Sequence, residues 1–186
     1  MKIAALLPFK NELENLELYF EGISKIADEV IGYDDSSTDG SREKFLNLGG
    51  KLIKTKFSDS FVNGKEKLVR TKLLNSGRES NSTHFILLDA DEILYYREKD
   101  YLMEFIKQLK PGQKLALDWI NLWGSYSQFC TEGKPWEPRQ KAFIFMDHKK
   151  INYMRRSFRS SIFHFDRIPS FRNAPKWISG DITDFA

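Results

Sequence analysis

Cysteine is almost missing from this chain: Cys130 is the only one in 186 residues. One cysteine cannot close an internal disulfide, so a disulfide-stapled secreted domain is excluded and a reducing, cytoplasmic setting is expected. Long apolar runs are missing too. Nothing approaches the roughly 18 residues that a membrane span needs. The apolar start, Ile3 to Leu7, is too short for the core of a signal peptide, and Lys10, Asn11 and Glu12 follow at once. There is no repeat, no low-complexity tract and no Pro/Ser-rich linker, so residues 1–186 read as a single domain. A large excess of one charge is also lacking. The 29 Lys and Arg against 26 Asp and Glu leave +3, and no nucleic-acid partner is expected from so small a surplus.

What is present is unevenly spread. Residues 134–186 hold 11 basic and 5 acidic side chains, and residues 1–133 hold 18 and 21. The chain has 15 Phe, 7 Tyr and 4 Trp, and all four Trp lie from Trp119 onward. The first half is mildly acidic, and the second is basic and rich in rings.

Apolar periodicity orders the first half. Residues 2–8 form an apolar run ended by Pro8, suited to a strand buried on both faces. Leu13, Leu16, Phe20, Ile23 and Ile26 recur at helical spacing, which predicts a helix over 12–27 with Asn11 as its cap. Strands are predicted over 29–33, 51–55 and 84–88. Helices are predicted from Ser41 to Leu48 and over 64–80, the latter anchored by Leu68, Leu73 and Leu74. Further on, a helix over 99–109 and strands over 114–120 and 142–146 are expected. Alternating strands and helices specify an α/β fold with a mostly parallel central sheet flanked by helices. In such sheets ligands bind beyond the C-terminal strand ends. The segments Pro8–Glu12, Asp34–Asp39 and Asp89–Glu92 should therefore meet at one edge.

Asp89-Ala90-Asp91-Glu92 emerges directly from the apolar strand Phe85–Leu88. Three carboxylates in four residues repel one another unless a cation or hydrogen-bond donors sit among them. Mg²⁺ or Mn²⁺ would neutralise them and leave sites for phosphate oxygens. A solvated acidic turn is the plainer alternative. Asp34-Asp35 forms a second acidic pair. It can accept from a base N–H or a ribose hydroxyl, while Thr38, Asp39 and Ser41 cap the helix that follows.

These loops together resemble the family 2 glycosyltransferases of the GT-A fold, in the branch marked by Lys-Asn-Glu and Asp-Ala-Asp-Glu. The matching residues are Lys10-Asn11-Glu12, the acidic Ser/Thr/Gly loop from Asp34 to Ser41, Arg70 and Asn75 on a helix, and Leu88 to Glu92. The resemblance covers about residues 1–95, the nucleotide-sugar-binding half, and leaves 96–186 as the acceptor-side half. It implies a metal-dependent, inverting transfer of a sugar from a nucleoside-diphosphate sugar, a UDP-sugar above all, to a hydroxyl of a glycan, a lipid-linked or another acceptor. Carried over, Pro8, Phe9, Asn11 and Glu12 lie at the nucleotide, Asp35 meets the base, and Arg70, Asp89 and Ala90 complete the nucleotide site. Asp91 is the metal ligand. The second reading is a non-catalytic module on the same fold that binds a nucleotide or a polyanion.

The second half matches less closely. His164 stands where that branch places a metal-side His, although Phe165 follows it in place of the usual Glu. An inverting transfer needs a carboxylate to deprotonate the acceptor hydroxyl. Asp118, set inside the apolar Leu115–Ile120, and then Glu137 are the candidates, ahead of Glu132 and Asp166. Trp119, Trp123, Tyr126 and Trp136 could form an acceptor platform. The basic segment 149–159 suits a pyrophosphate, an anionic acceptor or a peripheral contact with the inner face of a membrane; a solvated basic face is the plainer reading.

Overall fold

The computed structural model describes residues 1–54, 60, 65–96, 99–122, 139–149 and 151. Among the described residues six strands form one sheet: β1 (Ile3–Phe9), β2 (Glu29–Asp34), β3 (Lys51–Leu52), β4 (His84–Ile86), β5 (Lys114–Trp119) and β6 (Arg139–Met146). Among the described residues four helices accompany them: α1 (Leu16–Ile23), α2 (Ser41–Asn47), α3 (Glu66–Glu79) and α4 (Lys99–Gln108). The sheet order is β3-β2-β1-β4-β6-β5. The first four strands are parallel, and β6 runs antiparallel to both β4 and β5. The expected α/β class with a mostly parallel sheet flanked by helices is what the chain adopts.

Strand β1 is central, and all seven of its residues are buried. Its side chains alternate between two cores. Ile3, Ala5, Leu7 and Phe9 join Leu16, Tyr19, Phe20 and Ile23 of α1, Phe45 of α2, and Leu102 and Ile106 of α4. Ala4 and Leu6 join Val69, Leu73 and Leu74 of α3. The handedness of the crossovers accounts for this division. The path β1-β2-β3 steps one way across the sheet, and the path from β3 back to β4 steps the other. Right-handed connections then put α1 and α2 on one face and α3 on the other.

Aromatic packing fills the first core. Phe9 stacks on Phe45 with centroids 4.9 Å apart, and Phe20 meets Phe45 edge-on at 5.4 Å. Phe45 lies directly over Gly32, where an added Cβ would come within 2.4 Å of its ring. Glycine in β2 is thus required by the ring above it, not by a turn. Truncating so buried a ring to Ala costs about 3–5 kcal/mol.

Several boundaries differ from the sequence expectation. Strand β1 runs through Pro8 to Phe9. Even-numbered β1 residues face β4, and that pairing stops at Ala5–Ile86, so the missing Pro8 N–H removes no ladder bond. Helix α1 starts at Leu16, and Asn11 does not cap it, because Asn11 adopts a left-handed φ of 56°. The carbonyl of Glu12 instead accepts from the N–H groups of Asn15 and Leu16. Leu68 is exposed, and Val69 takes its place against the sheet. β3 and β4 are shorter than predicted, at two and three residues.

Candidate functional site

The parallel order brings the C-terminal ends of β2, β1 and β4 to one edge. The order reverses between β1 and β4, since β1 leads out to β2 on one side and β4 lies on the other. A crevice opens at such a switch point.

The loops after β1 and β2 are tied together by side chains of turn residues. Asn11 N–H donates to Ser37 Oγ at 2.9 Å, and Asn11 Oδ1 accepts from Thr38 N–H at 2.8 Å. Glu12 N–H donates to Ser41 Oγ at 2.7 Å, and Leu13 N–H donates to Asp39 Oδ2 at 3.2 Å. Asp39 also accepts from the Ser41 hydroxyl, and that bond leads in holding its carboxyl below the ordinary value. The Ser/Thr/Asp loop thus braces the Lys-Asn-Glu segment as well as leading into α2.

Asp34 and Asp35 separate by strand alternation. Asp34 turns toward α2, where Oδ1 accepts from Ser37 N–H and Oδ2 lies 3.2 Å from Arg42. Asp35 turns to the α3 face, is 4% exposed, and accepts from Ser60 Oγ at 2.7 Å. Pro8 lies on that face too, by its place in β1. Phe9 and Ala90 are buried in the first core, so each can offer a ligand only backbone.

The acidic tetrapeptide does not act as one cluster. Asp89 Oδ1 accepts from Arg70 Nη2 at 3.0 Å, and Arg70 Nε also donates to Glu66 at 2.8 Å. Glu92 Oε2 accepts from Asp89 N–H at 3.0 Å, and its other oxygen is paired with Lys141 of β6. Burial pushes the Glu92 carboxyl up, and Lys141 offsets that in part. Asp91 alone is exposed and takes no partner among the described residues. Hydrogen-bond donors occupy Asp89 and Glu92. Among the described residues no three His, Cys, Asp or Glu side chains converge as a metal site would require. One free carboxylate still fits Mg²⁺ or Mn²⁺, which bind through one or two carboxylates and complete their shell with phosphate and water oxygens.

Strand β5 points the same way as β4, so Asp118 and Trp119 reach the same sheet edge two strand spacings away, about 10 Å. Leu115 and Leu117 face the first core and Asp118 alternates to the α3 face, the face of Asp35, Arg70 and Asp89. Trp119 packs against the first core, with Lys141 Nζ 5.1 Å from its ring centre. Glu137, His164, Glu132, Asp166, Trp123, Tyr126 and Trp136 lie outside the described residues, as does 149–159 apart from Lys149 and Ile151.

Sequence reading missed three contributors. Ser60 and Lys141 carry no local signal, because each meets its carboxylate across the sheet edge. Tyr19 is not one of the helix-spaced apolar residues that predict α1. Its hydroxyl is buried without a hydrogen-bond partner among the described residues. Burial, and then the charges of Asp89 and Glu92, raise its phenol above the ordinary value.

No protein-family model matches the chain. Over 122 residues it is 27% identical to a dolichol-phosphate mannosyltransferase of Pyrococcus furiosus, a match covering 63% of this chain and 32% of that protein. The chain thus spans about a third of the length of this curated relative. Crystal structures of glucosyl-3-phosphoglycerate synthase from Mycobacterium tuberculosis also overlap it. The complex with Mn²⁺, UDP and glucosyl-3-phosphoglycerate is 19% identical, with 61% of this chain and 42% of that chain covered and a TM-score of 0.41. The complex with Mn²⁺ and UDP-glucose is 19% identical, with 61% and 41% covered and a TM-score of 0.41. Among the described residues no helix is long and apolar enough to cross a membrane. The curated relative is named as a mannosyltransferase, and each of these likenesses is partial.

Proposed function

We propose that the chain carries the donor site of a metal-dependent, inverting glycosyltransferase of the GT-A type that uses a nucleoside-diphosphate sugar, with UDP as the nucleotide. One observation carries the reading. Asp35, the Arg70–Asp89 pair and the exposed Asp91 stand at the same edge of a parallel sheet, around its switch point. The similarity to a protein named for mannosyl transfer to dolichol phosphate supports it, and adds a lipid-linked phosphate to the acceptors worth testing.

Each residue then has a physical task. Asp35, buried and held by Ser60, accepts from an N–H on the base edge. Pro8 and the backbone of Phe9 to Glu12 line the nucleoside. Arg70 is neutralised by Asp89 and Glu66 until a diphosphate arrives, when it offsets phosphate charge. Asp91 would hold Mn²⁺ or Mg²⁺, with His164 as a second ligand, and the ion would supply charge neutralisation to the leaving nucleoside diphosphate. Asp118, or Glu137 after it, takes the acceptor hydroxyl's proton. The acceptor oxygen then bonds to the anomeric carbon as the carbon–oxygen bond to the diphosphate breaks.

Isothermal titration with UDP, in Mn²⁺ and again in EDTA, tests the donor site. Binding that requires the metal supports the reading. Absence of UDP binding in both buffers removes it.

A further inference from the structure

Tyr19 is fully buried, yet its hydroxyl has no partner among the described residues. A buried hydroxyl left unpaired is costly, so its retention needs a reason. Its surroundings offer one. Helix α1 packs directly under the loop that follows β4. An added Cβ on Gly22, one turn beyond Tyr19, would lie 2.7 Å from the Leu94 carbonyl, and Tyr96 donates to the Gly22 carbonyl at 3.3 Å. Tyr19, Ala90 and Leu94 share one core. The carboxylates of that loop are the charges that act on the phenol.

Asp89 is held on the α3 face by Arg70. Glu92 is bound by Lys141, whose ammonium lies 5.1 Å from the ring centres of Trp119 and Phe143, and Phe143 belongs to Tyr19's core. Lys141 is 40% exposed, and Glu92 is 10% exposed. The lysine can therefore swing outward, and the glutamate cannot follow it. A carboxylate so placed needs a new donor when its cation leaves.

We propose that Glu92 has two alternative partners: Lys141 when the site is empty, and the Tyr19 hydroxyl once Lys141 has moved onto the diphosphate of a bound nucleotide. Lys141 is then a diphosphate ligand, and Tyr19 is the positioning residue that keeps Glu92 and the adjoining Asp91 loop in place. The exchange leaves none of the three side chains unpaired. The ammonium trades a carboxylate for phosphate oxygens, and the carboxylate gains a phenol donor that was unpaired. The inference rests on the donor-site reading above, but half of its test needs no ligand.

The experiment is a double-mutant cycle with Tyr19→Phe and Lys141→Met, read by urea unfolding and by UDP titration in Mn²⁺. Tyr19→Phe in the native background should leave the unfolding midpoint unchanged or raise it, because it deletes an unpaired hydroxyl. In the Lys141→Met background, where Glu92 has turned to Tyr19, the same change should lower the midpoint. Tyr19→Phe should also weaken UDP binding about fivefold, the worth of one hydrogen bond. Lys141→Met should weaken it further, and Lys141→Arg should restore it. Equal effects of Tyr19→Phe in both backgrounds, or unchanged UDP affinity, would overturn the exchange. If the native chain binds no UDP, the donor-site reading fails and the diphosphate role of Lys141 fails with it. The ligand-free cycle still reports on the Glu92–Tyr19 pairing. Should Tyr19→Phe not fold, Glu92→Gln serves in its place: the exchange predicts weaker UDP binding, and unchanged affinity overturns it.

Discussion

Arg70 Nη2 lies 3.0 Å from Asp89 Oδ1, so the second turn of α3 is tied to the loop after β4 at the switch point of the sheet. A guanidinium held by two carboxylates, Asp89 and Glu66, is positioned before any ligand arrives. Replacing it by Met keeps the stem and removes the charge. We expect Arg70→Met to weaken UDP binding about tenfold or more, as loss of a charge-assisted hydrogen bond does. The unfolding midpoint should change little, because Asp89 is 45% exposed and water can solvate it. Calorimetric titration together with urea unfolding separates the two effects.

Asp91 is exposed and without a partner among the described residues, so its removal should cost the fold almost nothing, within about 0.5 kcal/mol. It should cost metal-dependent UDP binding nearly everything. Full-strength, metal-independent binding in Asp91→Ala would sink its role as a metal ligand.

Gly22 lies where the loop after the acidic tetrapeptide crosses α1. A methyl group there would stand 2.7 Å from a backbone carbonyl, which cannot swing aside as a side chain can. Gly22→Ala should therefore destabilise by about 1–3 kcal/mol, the usual cost of overpacking, despite alanine's better helix propensity. It should also weaken UDP binding, because it pushes on the segment that follows Asp91. Unchanged thermal stability would show that the loop is not pressed on the helix.

Acid should unfold this protein through Glu29, at the opposite edge of the sheet. Burial alone would raise its carboxyl, but hydrogen bonds from Ser80, Lys2, Lys51 and Ser82 outweigh that and bring it down to about 2 from 4.5. A folded value below the unfolded one means that the contribution is fully present above pH 4.5. It is lost as the pH falls toward 2, and amounts to about 3 kcal/mol. Glu29→Gln should lower stability at neutral pH and flatten its fall between pH 5 and 2. Urea unfolding across that range measures it, and parallel curves for the two proteins would contradict the assignment.

Legibility in the sequence followed the range of the interactions. Periods of two and of about 3.6 residues record which side chains are buried, so the ten elements and their α/β order were readable from Ile3 to Met146. The loops at the strand ends were readable as well, because Asp, Asn, Ser and Thr in clusters satisfy backbone groups locally. Boundaries failed where a tertiary contact overrode local preference. Asn11 turned away from capping α1 to bond Thr38, 27 residues further on. Pro8 stayed within β1 because its neighbour's ladder had already ended.

Strand direction follows from the alternation of strands and helices, so the gathering of Pro8–Glu12, Asp34–Asp39 and Asp89–Glu92 at one edge of a parallel sheet is written in the local pattern. Which carboxylates remain available depends on long-range pairing in the folded chain. Asp89, Asp91 and Glu92 all carry a carboxylate, yet Arg70 neutralises the first and Lys141 the third, and Asp91 alone of the three is exposed. Both cations reach the loop across the sheet edge, from 19 and 49 residues away. Ion pairing depends on separation in space, and a chain's local pattern carries no record of that distance.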